Sequence, residues 1–103
     1  VRRGEIWWVE APDIVRRPHL ILTRDEAIPA LHRLIAVPAT RTIRSIPTEI
    51  QVGRADGLPQ ECVLTCDNVR VVNKTYFIEY LTTLSHDKVN AVCRALATAT
   101  ACN

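Results

Sequence analysis

The stretch RPHLILTRDEAIPALHRLIAVPAT, residues 17–40, holds two apolar runs separated by a charged turn. HLILT is short and almost uninterrupted in its apolar character, which suits a buried strand better than an amphipathic helix. RDEAIP then breaks the pattern, and RLIAVPA resumes it. Two such runs joined by a turn are expected to lie side by side and antiparallel. The start of the first (Arg16, Arg17, Pro18) and the end of the second (Thr40) then become neighbours. Pro38 cannot donate a ladder hydrogen bond, so a strand end, edge or bulge is expected there.

The flanking sequence extends the same pattern. GEIWWVE (4–10) has strand propensity through Ile6, Trp7, Trp8 and Val9, and APDIVRR (11–17) reads as a short loop closed by Pro18. TRTIRSI (40–46) is polar and basic, an exposed connection, and TEIQV (48–52) alternates like a strand with one wet face. RADGLPQ is a turn, ECVLTC and NVRVV are short strands meeting at Asp67-Asn68, and KTYFIEYLTTL supplies a further strand with Phe77 and Tyr76 as core candidates. Ser85 suits a helix N-cap, and Asp87 suits the positive end of the helix dipole. Val89, Val92, Cys93, Leu96 and Ala97 follow helical spacing, predicting one buried face on a helix over 86–100. Six or seven short strands with turns every 8–12 residues and one terminal helix predict a mainly β, α+β fold. The expected architecture is a small, partly open antiparallel barrel carrying a C-terminal α-helix, in a single domain over 1–103.

Composition narrows the function. The chain has 103 residues, 48% hydrophobic and 23% charged, an ordinary folded composition. No run is long enough to span a membrane and the first residues lack a signal-peptide pattern, so a cytoplasmic, membrane-free protein is expected. Eleven of the 13 basic residues are arginine, the side chain that grips phosphate with a planar fork. Residues 1–54 carry 9 basic and 6 acidic groups, residues 55–103 carry 4 and 5, so the first half is the better candidate for an anionic partner.

Cys62, Cys66, Cys93 and Cys102 form no CxxC pair, and His19, His32 and His86 are scattered. Zinc needs three or four convergent ligands, so neither a metal nor a cofactor is expected, and the cysteines read as free thiols packing as small apolar groups. No nucleophile elbow, phosphate loop or zinc-protease motif is present. What remains is polar residues at strand ends: Arg16-Arg17, Thr40-Arg41-Thr42 with Arg44, and Asp67-Asn68. Adjacent arginines fit a solvated loop as readily as a phosphate grip. A guanidinium and a hydroxyl converging on one anion could stabilise the charge that builds on phosphate when a ribose 2′-OH attacks it.

These residues also carry a family resemblance. Arg3-Gly4-Glu5-Ile6-Trp7, Arg17-Pro18 with the strand that follows, Val37-Pro38-Ala39-Thr40, Pro47-Thr48-Glu49-Ile50 and Cys66-Asp67-Asn68-Val69-Arg70 occur in the order seen in MazF/PemK-type toxins, which the chain resembles over its whole length. The resemblance implies an SH3-like barrel, a homodimer, and metal-independent cleavage of single-stranded RNA to 2′,3′-cyclic phosphate and 5′-hydroxyl ends. It also implies a cognate antitoxin with a disordered, acidic segment. It places the catalytic pair on Arg17 and Thr40, with Arg17 stabilising the phosphorane and Thr40 donating to a phosphate oxygen. Substrate contacts fall on Arg16, Pro18, Arg41, Thr42, Arg44, Asp67 and Asn68. The chain departs from the family in its short APDIVRR loop and in Thr65, where some relatives carry arginine. Two other functions fit the same barrel: a gyrase poison of the CcdB type, expected to act through a C-terminal end that here is ATATACN without an aromatic anchor, and an RNA-binding module that does not cut.

Overall fold

The computed structural model describes residues 1–102; Asn103, the last residue of ATATACN, lies outside them. Seven strands run as β1 (Glu5–Ala11), β2 (Ile14–Ile21), β3 (Arg33–Thr40), β4 (Glu49–Val52), β5 (Cys62–Thr65), β6 (Arg70–Asn73) and β7 (Phe77–Thr83). A single helix, α1 (His86–Thr100), follows them. Every strand pairing is antiparallel, in the order β4-β5-β3-β2-β1-β7, with β6 also on β3. The sheet curls without closing: no ladder joins β4 to β7 among the described residues. This is the partly open barrel that the turn spacing predicts.

β3 organises the sheet because it serves three partners. One edge pairs with β2 through His19–Pro38, Leu20–Val37 and Ile21–Ala36. Its other edge pairs with β6 over residues 33–36 and with β5 over 39–40. Pro38 is therefore inside a strand rather than at its end. It falls in the gap between the two edge partners, where a missing N–H breaks no ladder.

The first hairpin differs from the sequence expectation. Ala11 already pairs with Ile14, so the turn is only Pro12-Asp13, and Ile14–Arg17 belong to β2 instead of to a loop. Val15 and Arg16 are exposed, so this half of the strand lacks the apolar alternation that marks one buried face. The β2–β3 connection, residues 22–32, contains a 3₁₀ turn at Ile28–Ala30. Buried Thr23 secures it by accepting a 2.7 Å hydrogen bond from the Ile35 amide.

Two cores form, one on each face of the sheet. Ile6, Leu20, Val37, Leu64, Cys62 and Cys66 pack against the helix residues Val89, Val92 and Ala95. On the other face Val9, Ile21, Leu34, Ala36, Val72 and Phe77 cluster, with Trp7 and Tyr76 at the margin. The helix lies over the residues expected, capped by Ser85 accepting from the Lys88 amide at 3.2 Å. Its buried face is turned slightly from the prediction: Ala95 is buried and Ala99 joins the packing, whereas Ala97 is not part of this core. The twist of the strands beneath the helix selects this contact stripe. Cys62, Cys66, Cys93 and Cys102 are all free, and Cys62 and Cys66 fill core space. Burial pushes the Cys66 thiol up to about 11, so it stays protonated and unreactive.

Leu64 is fully buried between sheet and helix. Leu64→Ala should destabilise the protein by about 2–5 kcal/mol in urea denaturation. Ile35→Ala, on an exposed strand face, should change stability by less than ~0.5 kcal/mol.

Candidate active-site groove

β2 and β3 pair as far as His19–Pro38. Extending that register one step along the same face sets Arg17 opposite Thr40, the neighbourhood the sequence predicts. Beyond this point an open groove of about 310 Å³ lies between the first turns of β2 and the end of β3. Arg16, Arg17, Pro18, Thr40, Arg41 and Thr42 line it, joined by Trp8, Val15, Ala39 and the 58–60 loop. Three arginines share this wall with no carboxylate. The field inside therefore favours an anion.

Strand alternation gives the two adjacent arginines different surroundings. Arg16 shares a face with Trp8 and Pro18. Its guanidinium lies 4.8 Å from the Trp8 ring centroid and is tied to Glu10 at 3.1 Å and to Glu79 at 3.8 Å. Arg17 stands opposite Val9 on the other face and has no ion pair among the described residues. It is the uncommitted cation of the pair. Thr40 is half-buried, and its hydroxyl oxygen accepts from the Thr42 amide at 3.3 Å, which leaves the hydroxyl proton free to donate.

Three residues expected at the site are elsewhere. Arg44 is bound to Glu49, donating from its backbone amide at 2.9 Å with its guanidinium 3.7 Å from the carboxylate. Asp67 and Asn68 occupy the 3₁₀ turn Cys66–Asn68, where Asp67 accepts from the Thr48 hydroxyl at 2.5 Å. None of the three lines the groove. No group of three or more His, Cys, Asp or Glu side chains that could hold a metal assembles among the described residues.

The fold adds residues that sequence reading missed. His19 and Arg70 lie on the Arg17 face: His19 is opposite Trp7 and Pro38, and Arg70 is opposite Ala36. His19 is fully buried, and its Nδ1–H donates to the Arg17 carbonyl at 3.1 Å, fixing the backbone that carries the free guanidinium. Its Nε2 and the Arg70 Nε are buried without a hydrogen-bond partner. Burial, followed by the nearby Arg70 and Arg17 charges, lowers the His19 pKa to about 4, partly opposed by the Arg17 carbonyl. Burial and the Arg17 charge also lower Arg70, which Asp13 partly offsets. Trp8 was likewise missed: the Pro12-Asp13 turn alone would set it opposite Arg17, and a register shift between Val9 and Ala11 moves it to Pro18, beside Arg16.

Fold and groove together define a small barrel protein with a cationic cleft at the β2–β3 mouth. Comparison with known proteins specifies the class. The chain belongs to the family of PemK-like, MazF-like toxins of type II toxin–antitoxin systems, whose model matches residues 2–100. It is 36% identical to a protein named probable endoribonuclease MazF5 of Mycobacterium tuberculosis, over 98% of this chain and 94% of the relative. The solved Mycobacterium tuberculosis toxin MazF-mt6 superposes with a TM-score of 0.88 at 28% identity, covering 96% of this chain and 98% of that one. A mycobacterial endoribonuclease solved in complex with its cognate antitoxin superposes with a TM-score of 0.87 at 26% identity, covering 100% and 97%. No helix among the described residues is long and apolar enough to cross a membrane.

The neutral His19 makes stability pH-dependent. Its folded pKa lies below the ordinary 6.5, so the unfolded chain binds more protons between about pH 6.5 and 4. Stability should fall as pH drops through that window, with this residue contributing up to about 3 kcal/mol. Urea midpoints from pH 7.5 to 4 should show the slope, and His19→Val should flatten it.

Proposed function

We propose that the protein is an endoribonuclease toxin that cuts single-stranded RNA at short sequences without a metal, inhibiting translation and growth. The observation that carries this reading is that an uncommitted guanidinium, Arg17, and a free hydroxyl donor, Thr40, line one groove whose wall holds no carboxylate. Family membership and relatives named endoribonuclease support it.

The ribose 2′-oxygen attacks the adjacent phosphorus. The P–O2′ bond forms, the P–O5′ bond breaks, the 2′-OH proton leaves and the 5′-oxygen gains a proton. The products carry 2′,3′-cyclic phosphate and 5′-hydroxyl ends. Charge gathers on the non-bridging oxygens as the phosphorane forms, and Arg17 and Thr40 stabilise it there. Donors fixed in advance act most strongly in that role, because they need no reorganisation as charge develops. Arg41 and Thr42 continue the wall and hold the flanking backbone, while Arg16 and Pro18 shape its β2 side. Arg44, Asp67 and Asn68 lie outside the wall, and any contact they make is with a more distant part of the strand.

The working molecule is a homodimer held in check by a cognate antitoxin. A mycobacterial endoribonuclease of the same fold is solved in complex with its cognate antitoxin. A disordered acidic antitoxin segment would be matched in charge to the arginine-lined groove and would compete there with RNA.

Labelled single-stranded RNA incubated with the protein in EDTA should give discrete fragments with 5′-hydroxyl ends, read by their acceptance of phosphate from polynucleotide kinase. RNA left intact at micromolar protein would refute the nuclease reading. Arg17→Ala should lower kcat at least ~100-fold with folding unchanged. If that variant cuts normally, the site is misassigned.

A further inference from the structure

The groove has a feature that phosphate chemistry leaves unused. Trp8 lies one step along the same strand face as Ile6, and its cross-strand partner Pro18 follows Leu20 in the same way. Ile6 and Leu20 end inside the core, whereas Trp8 continues the apolar face into the groove wall. The ring is half-buried, with Arg16 over it. Buried Leu58 and exposed Pro59 and Gln60 also line the groove. The turn that could have covered the ring is only Pro12-Asp13.

We propose that Trp8 is a stacking platform for one nucleobase beside the scissile phosphate, the base displacing Arg16 from the indole face and Gln60 reading the base edge. This rests on the RNA-cleaving reading and deepens it, by naming where sequence choice is made. The occupant follows from the chemistry of the wall: three arginines without a carboxylate select a polyanion, and an aromatic face among them selects a polyanion that carries flat rings. The volume, about 310 Å³, is at the small end of ligand sites and suits one base with its sugar rather than a folded segment.

Arg16 can give way. Its contacts with Glu10 and Glu79 join side chains that are each about half exposed or more, and such surface pairs hold weakly. Once displaced, its guanidinium remains within the groove wall to meet a phosphate, exchanging one electrostatic partner for another. Gln60 carries both a donor and an acceptor, as base-edge recognition requires.

A stack forms in the ground state and the transition state alike, so its loss raises KM and leaves kcat nearly unchanged. Trp8→Ala should raise KM for RNA about tenfold, the weight of one stacked base, and Trp8→Phe should restore most of it. Sequencing fragment ends should show relaxed choice at one position next to the cut in Trp8→Ala and Gln60→Ala. A single-stranded oligodeoxynucleotide of the cut sequence, which lacks the 2′-OH, should quench tryptophan emission in the wild type and far less in Trp8→Phe. One abasic residue at that position should abolish the difference. A folded Trp8→Ala protein that keeps its KM and its choice of sequence overturns the platform while wild-type cleavage stands. A wild type that binds and quenches on the deoxynucleotide yet cuts no RNA overturns the nuclease reading and leaves the platform standing.

Discussion

The antiparallel register between β2 and β3 is the constraint on which the site depends. It places Leu20 beside Val37 and Ile21 beside Ala36, all fully buried, so neither strand can slip. A slip of one residue would turn every one of these side chains to the opposite face. With the apolar rungs fixed, the polar ends follow: the register that holds His19 to Pro38, carried one step further, directs Arg17 toward Thr40. The groove then opens where the β2–β3 ladder ends at His19–Pro38, so a rigid sheet delivers both groups to its mouth. Positioning of this kind is what electrostatic stabilisation of a transition state requires.

Much of this was legible in the sequence because it is local or follows from neighbouring runs. Ser85 and the spacing of Val89 and Val92 mark α1, and the two apolar runs of residues 17–40 announce their own pairing. The start of β2 was not legible. Exposed Val15 and Arg16 lack the alternation of a strand with one dry face, so a paired segment reads as loop. His19 shows why a lone histidine among apolar residues is ambiguous: its burial is set by Trp7 across one edge and Pro38 across the other, which are far apart in sequence. Arg44, Asp67 and Asn68 fall outside the groove for a related reason. β3 changes partner between β6 and β5, and that switch carries the Cys66–Asn68 turn away from the groove wall, a non-local outcome that no spacing encodes.

The face beneath Arg17 brings like charges and a buried imidazole together. Arg70 and Arg17 repel across a partly dry surface, and Asp13 only partly offsets the effect on Arg70. His19 sits below them with an unpartnered Nε2, kept neutral by its burial and by the same two cations. A neutral imidazole adds no third positive charge, and its Nδ1–H secures the Arg17 backbone. An apolar residue would pack at that position at less cost but would offer no such hydrogen bond. An anion held between the two arginines would relieve that repulsion.

Arg16 and Arg17 show how finely a strand divides labour. They are one residue apart and identical in chemistry, yet alternation sends one to Trp8 with two glutamates and leaves the other without an ion pair. A helix would have set them about 100° apart on one curved surface, where both could reach the same carboxylates. In β2 the carboxylates that quiet Arg16 lie on the far side of the backbone from Arg17. The difference between the ion-paired arginine and the free one therefore lies in the pleat. For the same reason, shifting β2 by one residue would exchange the two surroundings, turning the arginine now free toward Trp8 and the glutamates.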